Sequence, residues 1–332
     1  MAESSAIFFG KNWRKIMKKF LTFGEPLAVF SSEDLNASLV DAKHFTRYLA
    51  GAELNVAVGI ARLGLPTEYI TALGKDPFGK SILKDIRGAN IGTQYIELSE
   101  KYRTGFYFKQ RVDRGDPEIF YYRSDSAASH YDVSELSKID FSEIGHIHTS
   151  GITAGISEEG RVTTEKLLDL GKSCQIKTTF DPNIRVQLWE SKQYMIKVLN
   201  ELAAKARIVL PGINEGKVLA GSEDPEKIAD FYLNQSDVTE LVVVKIGPDG
   251  AFLKTKDADC QVVPGFKAEK VIDTVGAGDG FALGLISGLM ENLSYAESVR
   301  RGCAIGALAV QNPGDNDGYP TREKLNEFMG RG

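Results

Sequence analysis

The sequence predicts an α/β fold in which one mostly parallel sheet carries helices on both faces and a small second β-sheet covers it as a lid. Three observations lead there. From residue 146 onward, short apolar strands alternate with helical segments, the order that produces parallel strands joined by crossover helices. Earlier, two stretches at about 27–50 and 102–126 hold strand-like runs with no helix between them, so they form a sheet of their own. Motifs rich in Gly and Asp stand where strands end, the side of an open α/β sheet on which ligands bind.

Residues 1–16 lack periodicity and precede Met17, after which a strand begins at once. They read as a poorly ordered extension, and 17–332 as a single domain with the lid inside it. An apolar strand at 20–30 carries Gly24-Glu25-Pro26, and a more polar one at 38–49 follows turn residues. Small apolar residues at 56–63, stopped by Gly64, make a closely packing helix. A strand at 67–73, a helix at 77–87 and strand-like runs at 94–98, 105–111 and 119–123 come next. Then strands at 146–150, 177–181, 208–210 and 240–246 alternate with helices at 157–170 and 191–204 and short helices over 214–233. A hairpin about Gly247-Pro248-Asp249-Gly250 and a strand at 270–273 lead to a small-residue turn and two long helices.

With 332 residues, 42% of them apolar, the chain can bury one full core. A net charge of −5 and dispersed basic residues, apart from a short run at 11–19, argue against a nucleic-acid partner. No apolar run is long enough to span a bilayer, so no membrane partner is expected. Cys174, Cys260 and Cys303 are far apart and odd in number, which suits reduced thiols in a cytoplasmic protein better than a disulfide frame or a zinc site.

Chemistry concentrates in Asp273-Thr274-Val275-Gly276-Ala277-Gly278-Asp279-Gly280-Phe281. Successive N–H groups in such a turn, backed by the positive end of a helix, form an anion hole for a transferring phosphoryl group. Gly276, Ala277 and Gly278 supply those amides, and Asp279 in the first helical turn can take a proton from an attacking hydroxyl. A tight turn capped by an aspartate would use similar letters, but three glycines and two aspartates exceed what a cap needs. A second candidate is a decoy. Gly74-Lys75-Asp76-Pro77-Phe78-Gly79-Lys80-Ser81 matches the P-loop pattern, yet Pro77 removes a donor and Asp76 puts negative charge where phosphates would lie. A helix start with Pro in its first turn is the better reading.

The unbroken Asp273-Thr274-x-Gly276-Ala277-Gly278-Asp279 resembles the C-terminal signature of the ribokinase/PfkB-type sugar kinases, and the likeness covers nearly the whole chain from about residue 20. It implies a ribokinase-like fold, ATP and Mg2+ as cofactors, and Asp279 as the base. The segment Ala50-Gly51-Ala52-Glu53-Leu54-Asn55-Val56-Ala57 is similar to the family's N-terminal signature, with Ala50 in place of its first glycine. By that likeness Gly51 lets a sugar approach and Asn55 bonds its hydroxyls, where the residues alone suggest an ordinary helix start. Gly74, Asp76 and Gly79 match a further family segment. Arg185, in Asp181-Pro182-Asn183-Ile184-Arg185, is implied to reach the substrate or the phosphate; on its own it is a turn arginine. Glu215 matches a glutamate that acts on magnesium through water, while Gly212 stands where asparagine is usual. Lys245, Gly247 and Gly250 resemble a nucleotide segment, joined in that role by Gly276 and Gly278.

Within the family the chain most resembles kinases of 2-keto-3-deoxygluconate, on Gly24-Glu25-Pro26-Leu27, Tyr107, Phe120-Tyr121-Tyr122-Arg123-Ser124, 181–185 and Gly314-Asp315-Asn316-Asp317-Gly318. Such a sugar acid carries a carboxylate suited to a planar guanidinium. Strand alternation sends Tyr121 and Arg123 to one face, so Arg123 is expected to bind the acid while Tyr107 and Tyr121 cover it. A fructokinase or ribokinase with Arg123 incidental is the nearest rival, and a silent sugar-binding regulator a more distant one. The edges of a lid sheet need cover, which predicts a homodimer through the lid or a multiple of it.

Overall fold

The computed structural model describes residues 17–330 apart from 116, 258 and 313, so the extension expected at 1–16 lies outside the described residues. The main sheet contains β1 (Lys19–Phe23), β4 (Thr67–Gly74), β5 (Ile96–Ser99), β8 (Ile144–Ser150), β9 (Lys177–Asp181), β10 (Ile208–Val209), β11 (Leu241–Lys245), β12 (Gly250–Thr255) and β13 (Cys260–Pro264). Its order is β13-β12-β11-β10-β9-β8-β1-β4-β5, parallel throughout except for the two pairings made by β12. The lid is a four-stranded sheet, β3 (Phe45–Ala50), β2 (Leu27–Ser32), β6 (Phe106–Lys109) and β7 (Ile119–Tyr122), in that order.

Helices α1 (Ala52–Arg62), α2 (Pro77–Gly88), α8 (Ala277–Met290), α9 (Tyr295–Ala309) and α10 (Arg322–Gly330) cover one face of the main sheet. The other face carries α3 (Gly151–Ile156), α4 (Glu158–Ser173), α5 (Lys192–Ala203), α6 (Ile213–Leu219) and α7 (Pro225–Asn234). Along β11, Leu241 and Val243 point to the first face and Val242 and Val244 to the second, all fully buried. Burial on both sides is why these strands read as continuous apolar runs. The small residues of α1 pack as expected: a Cβ at Gly59 would lie 2.1 Å from Leu283 of α8.

Three expected strands differ. The one expected over 20–30 breaks at Gly24-Glu25-Pro26, so that β1 stays in the main sheet and β2 opens the lid. Pro26 has no N–H for a ladder, and Glu25 turns inward to full burial. The one expected over 38–49 keeps only its second half as β3, because Ser38 and Asp41 close a turn, with Ser38 Oγ donating to Asp41 Oδ2 (2.7 Å). No strand forms at 270–273. The edge position is already filled by β13, the N–H of Ile272 donates to the Val310 carbonyl at the end of α9 (2.7 Å), and Val271 and Ile272 face solvent.

The P-loop-like stretch is a capped helix start. Asp76 precedes α2, with Oδ1 accepting from the Gly79 N–H and Oδ2 from the Thr104 N–H, both at 2.8 Å, so a carboxylate already occupies that helix terminus. Among the described residues no helix is long and apolar enough to cross a membrane, and the three cysteines are unpaired.

Candidate active site

Two cavities meet at the N-terminus of α8. The first, about 620 Å³, lies beneath the lid. Tyr107, Tyr121 and Arg123 line its lid side, Gly51, Asn55, Arg185 and Glu215 its body side, and Gly276, Gly278 and Asp279 its inner end. The second, about 730 Å³, is lined by Gly247, Gly250 and Ala277, with Phe266, Phe281, Ala307 and Val310 as an apolar wall. Lys245, Thr274 and Gly278 line both. All the residues expected from the sequence therefore border one cavity or the other, but the two expected sets do not separate cleanly: of those expected at the nucleotide, Gly276 lines only the first cavity, Lys245 and Gly278 line both, and Gly247 and Gly250 line only the second.

The turn before α8 is held rigidly. Gly276 has φ +77°, and a Cβ there would fall 1.9 Å from the Asp315 carbonyl oxygen, so no side chain fits. Its own carbonyl accepts from the Tyr319 hydroxyl (2.8 Å). Ala277 departs from expectation: its N–H donates to the Thr274 carbonyl (3.3 Å), whereas the amides of Gly276 and Gly278 have no backbone acceptor among the described residues. Asp279, one position further on, accepts from Asn55 Nδ2 (2.9 Å). Burial pushes the Asp279 carboxyl up to about 7; the Asn55 hydrogen bond opposes this, and Asp181, Asp315 and Glu53 add to it.

Where the cavities join, Lys245 Nζ at the end of β11 meets Asp181 Oδ2 at the end of β9 (2.6 Å). Burial pulls the Lys245 ammonium down, but Asp181 and Glu215 outweigh it and hold its pKa above the usual range. Glu215 is oriented by backbone: Oε1 accepts from the Ile184 N–H (2.9 Å) and Oε2 from the Gly212 N–H (2.6 Å). Gly212 thus enters through its amide, the one group that asparagine and glycine share.

On the lid, alternation works as expected. Ile119, Tyr121 and Arg123 face the cavity, while Phe120 and Tyr122 point away and are about half exposed (54% and 51%). The Tyr107 and Tyr121 rings lie 5.0 Å apart. Arg123 is not free: its Nε (2.7 Å) and Nη2 (2.5 Å) both contact Glu25 Oε2, and Ser126 Oγ holds the other oxygen (2.5 Å). Gly51 has a nearer reason to be glycine than an approaching sugar, since a Cβ would sit 2.8 Å from the Glu25 carbonyl.

The sequence pattern of the pfkB family carbohydrate kinases matches residues 17–322. The chain is a PfkB-family carbohydrate kinase. It is 40% identical over 310 residues to the 2-dehydro-3-deoxygluconokinase of Bacillus subtilis, covering 93% of this chain and 94% of that one. A PfkB protein from Polaromonas sp. JS666 superposes with a TM-score of 0.84 at 38% identity, over 93% of this chain and 99% of its own. An uncharacterised sugar kinase from Pyrococcus horikoshii, solved in complex with ATP, gives 0.78 at 26% identity over 93% and 97%. The fold is ribokinase-like.

Several residues of the kinase's cleft carry no signal of their own in the sequence. Glu25 and Glu53 look like turn and helix-start glutamates, yet both are buried, Glu53 beneath the hydroxyls of Ser150 and Thr153. Asp315 and Lys109 also line the cavity beneath the lid, and Lys109 Nζ stands 3.8 Å from Asp273, linking lid to turn. The hint is position: Glu25 and Asp315 lie inside stretches that resemble kinases of 2-keto-3-deoxygluconate.

Proposed function

We propose that the kinase transfers the terminal phosphoryl of ATP to the C6 hydroxyl of 2-keto-3-deoxygluconate. The observation that carries this is Arg123. Glu25 occupies its Nε/Nη2 edge, which leaves the Nη1/Nη2 edge for a second carboxylate, a group that neutral sugars lack. The 40% identity to a 2-dehydro-3-deoxygluconokinase supports the same substrate. In this reading Tyr107 and Tyr121 cover the sugar, Asn55 and Arg185 contact it, and Asp279 takes the proton of the attacking hydroxyl. The amides of Gly276 and Gly278 stabilise the charge on the transferred group. Adenine fits the apolar wall at Phe281, beyond Gly247 and Gly250, and the phosphates run toward Lys245, which borders both cavities. A lid over the sugar excludes water and so suppresses hydrolysis of ATP.

The residues also fit Mg2+. Carboxylates line the first cavity, the oxygen chemistry that Mg2+ takes beside water and phosphate ligands. Asp181 and Glu215 at the cavity junction are the carboxylates that would hold it, Glu215 through water. Bound there, it would neutralise charge on the phosphate oxygens. Unpaired cysteines support a reducing, cytoplasmic setting.

The reading is tested by ADP release on 2-keto-3-deoxygluconate, its C4 epimer, gluconate, fructose and ribose. A clear kcat/KM preference for the keto-deoxy acids is expected; preference for fructose or ribose would discard the carboxylate role of Arg123, and silence on all five would favour a sugar-binding regulator. Arg123→Ala should raise KM for the acid by roughly 10- to 100-fold, from one lost charge-assisted contact, with KM for ATP little changed. Equal effects on both would remove Arg123 from the sugar site. For assembly, we expect a homodimer, or a multiple of it, that buries the half-exposed Phe120 and Tyr122. Phe120→Asp combined with Tyr122→Asp should then halve the mass seen by light scattering, and an unchanged mass would place the interface elsewhere.

A further inference from the structure

Resting on Asp279 as the base, we infer that Asn316 is a positioning residue: by donating to the side-chain oxygen of Asn55 it favours the orientation in which the Asn55 nitrogen faces the Asp279 carboxyl. The three side chains form a series. Asn316 Nδ2 donates to Asn55 Oδ1 (2.9 Å), and Asn55 Nδ2 donates to Asp279 Oδ2 (2.9 Å). Asn55 is 2% exposed in α1. Asn316 is itself anchored by its backbone, since its carbonyl accepts from Arg62 Nη1 (2.9 Å) and from the Tyr319 N–H (3.3 Å).

An unrestrained amide serves both protonation states of a neighbouring acid, offering N–H to a carboxylate and, after a half-turn, oxygen to a carboxylic acid. Asn316 disfavours the second option by engaging that oxygen. Asn55 then favours the ionised form, the one that can accept a proton from a hydroxyl. The surroundings make this necessary. Asp181 at the end of β9, Asp315 in the loop after α9 and Glu53 on α1 all disfavour a charged Asp279, with Lys245 on β11 the facing cation and Tyr319 the facing hydroxyl. The two amides move no proton themselves; they keep the acceptor ready.

The test is kcat/KM against pH for the wild type, Asn316→Ala, Asn55→Ala and the double variant, after Asp279→Asn has been assayed. Each single substitution should move the acid limb upward by roughly half to one pH unit, the worth of one hydrogen bond, and the double should go no further than Asn55→Ala alone. The limb's position is the readout, because Asn55 also lines the sugar cavity and the profile's height is free to change. Asn316→Leu fills the same volume without a donor and should shift the limb like the alanine variant, so a packing defect in either cannot mimic the result. If Asn55→Ala moves the limb and both Asn316 variants leave it in place, Asn316 has no positioning role. If none of them moves it while Asp279→Asn is inactive, the amide series does not tune the base. Turnover surviving in Asp279→Asn would instead overturn the base assignment, and the proposal with it.

Discussion

Asp279→Asn should lower kcat by roughly 10²- to 10⁴-fold, the usual worth of a positioned general base, while leaving ATP affinity within a few-fold. The separation follows from geometry, since Asp279 lines the cavity proposed for the sugar and does not line the apolar cavity proposed for the nucleotide. In the native kinase, kcat/KM should rise with pH through about 7 if, as proposed, Asp279 acts as carboxylate, because burial among other acids raises its pKa to about that value. Stability should run the other way. A carboxyl whose folded pKa lies above its unfolded value binds a proton more readily when folded, so its contribution strengthens as pH falls from about 7 toward about 4. Asp279→Asn should therefore be more heat-stable than the native protein at pH 8, and by less at pH 5. Thermal melts at both pH values check this, and equal or lower melting temperatures for the variant at pH 8 would contradict a strained, desolvated base.

The second large effect is expected from a single methyl group. Gly276→Ala would place Cβ 1.9 Å from the Asp315 carbonyl on a backbone at φ +77°, where an L-residue already costs about 1–2 kcal/mol. The turn and the loop carrying Asp315 cannot both stay in place. Losing the alignment of the Gly276 and Gly278 amides should cost about 10²- to 10³-fold in kcat, typical of a lost oxyanion donor. The melting temperature should also fall by several degrees. A folded variant with turnover within threefold of native would show that these amides do not stabilise the transferred group.

Much of the kinase's architecture is local and therefore readable. Strands buried on both faces announce themselves as apolar runs, and the alternation that puts Tyr121 and Arg123 on one side of β7 needs no knowledge of what they face. What escaped reading was created by distance. Glu25 is tied to Arg123 across 98 positions and Asn316 to Asn55 across 261, and neither glutamate nor asparagine looks unusual where it stands. The break at Gly24-Glu25-Pro26 belongs to the same class, since an apolar run does not reveal that its halves enter different sheets. Residues 270–273 fail for the opposite reason: Val271 and Ile272 have strand propensity but no neighbouring strand to pair with.

Because the two cavities share Lys245, Thr274 and Gly278 as lining, the proposed sites for both reactants lie against one turn and can be filled at once. Transfer then needs no phosphorylated enzyme in between. Initial-rate plots against the two substrates should intersect rather than run parallel, and a terminal phosphoryl group made chiral with oxygen isotopes should reach the sugar with its configuration inverted, the record of a single displacement.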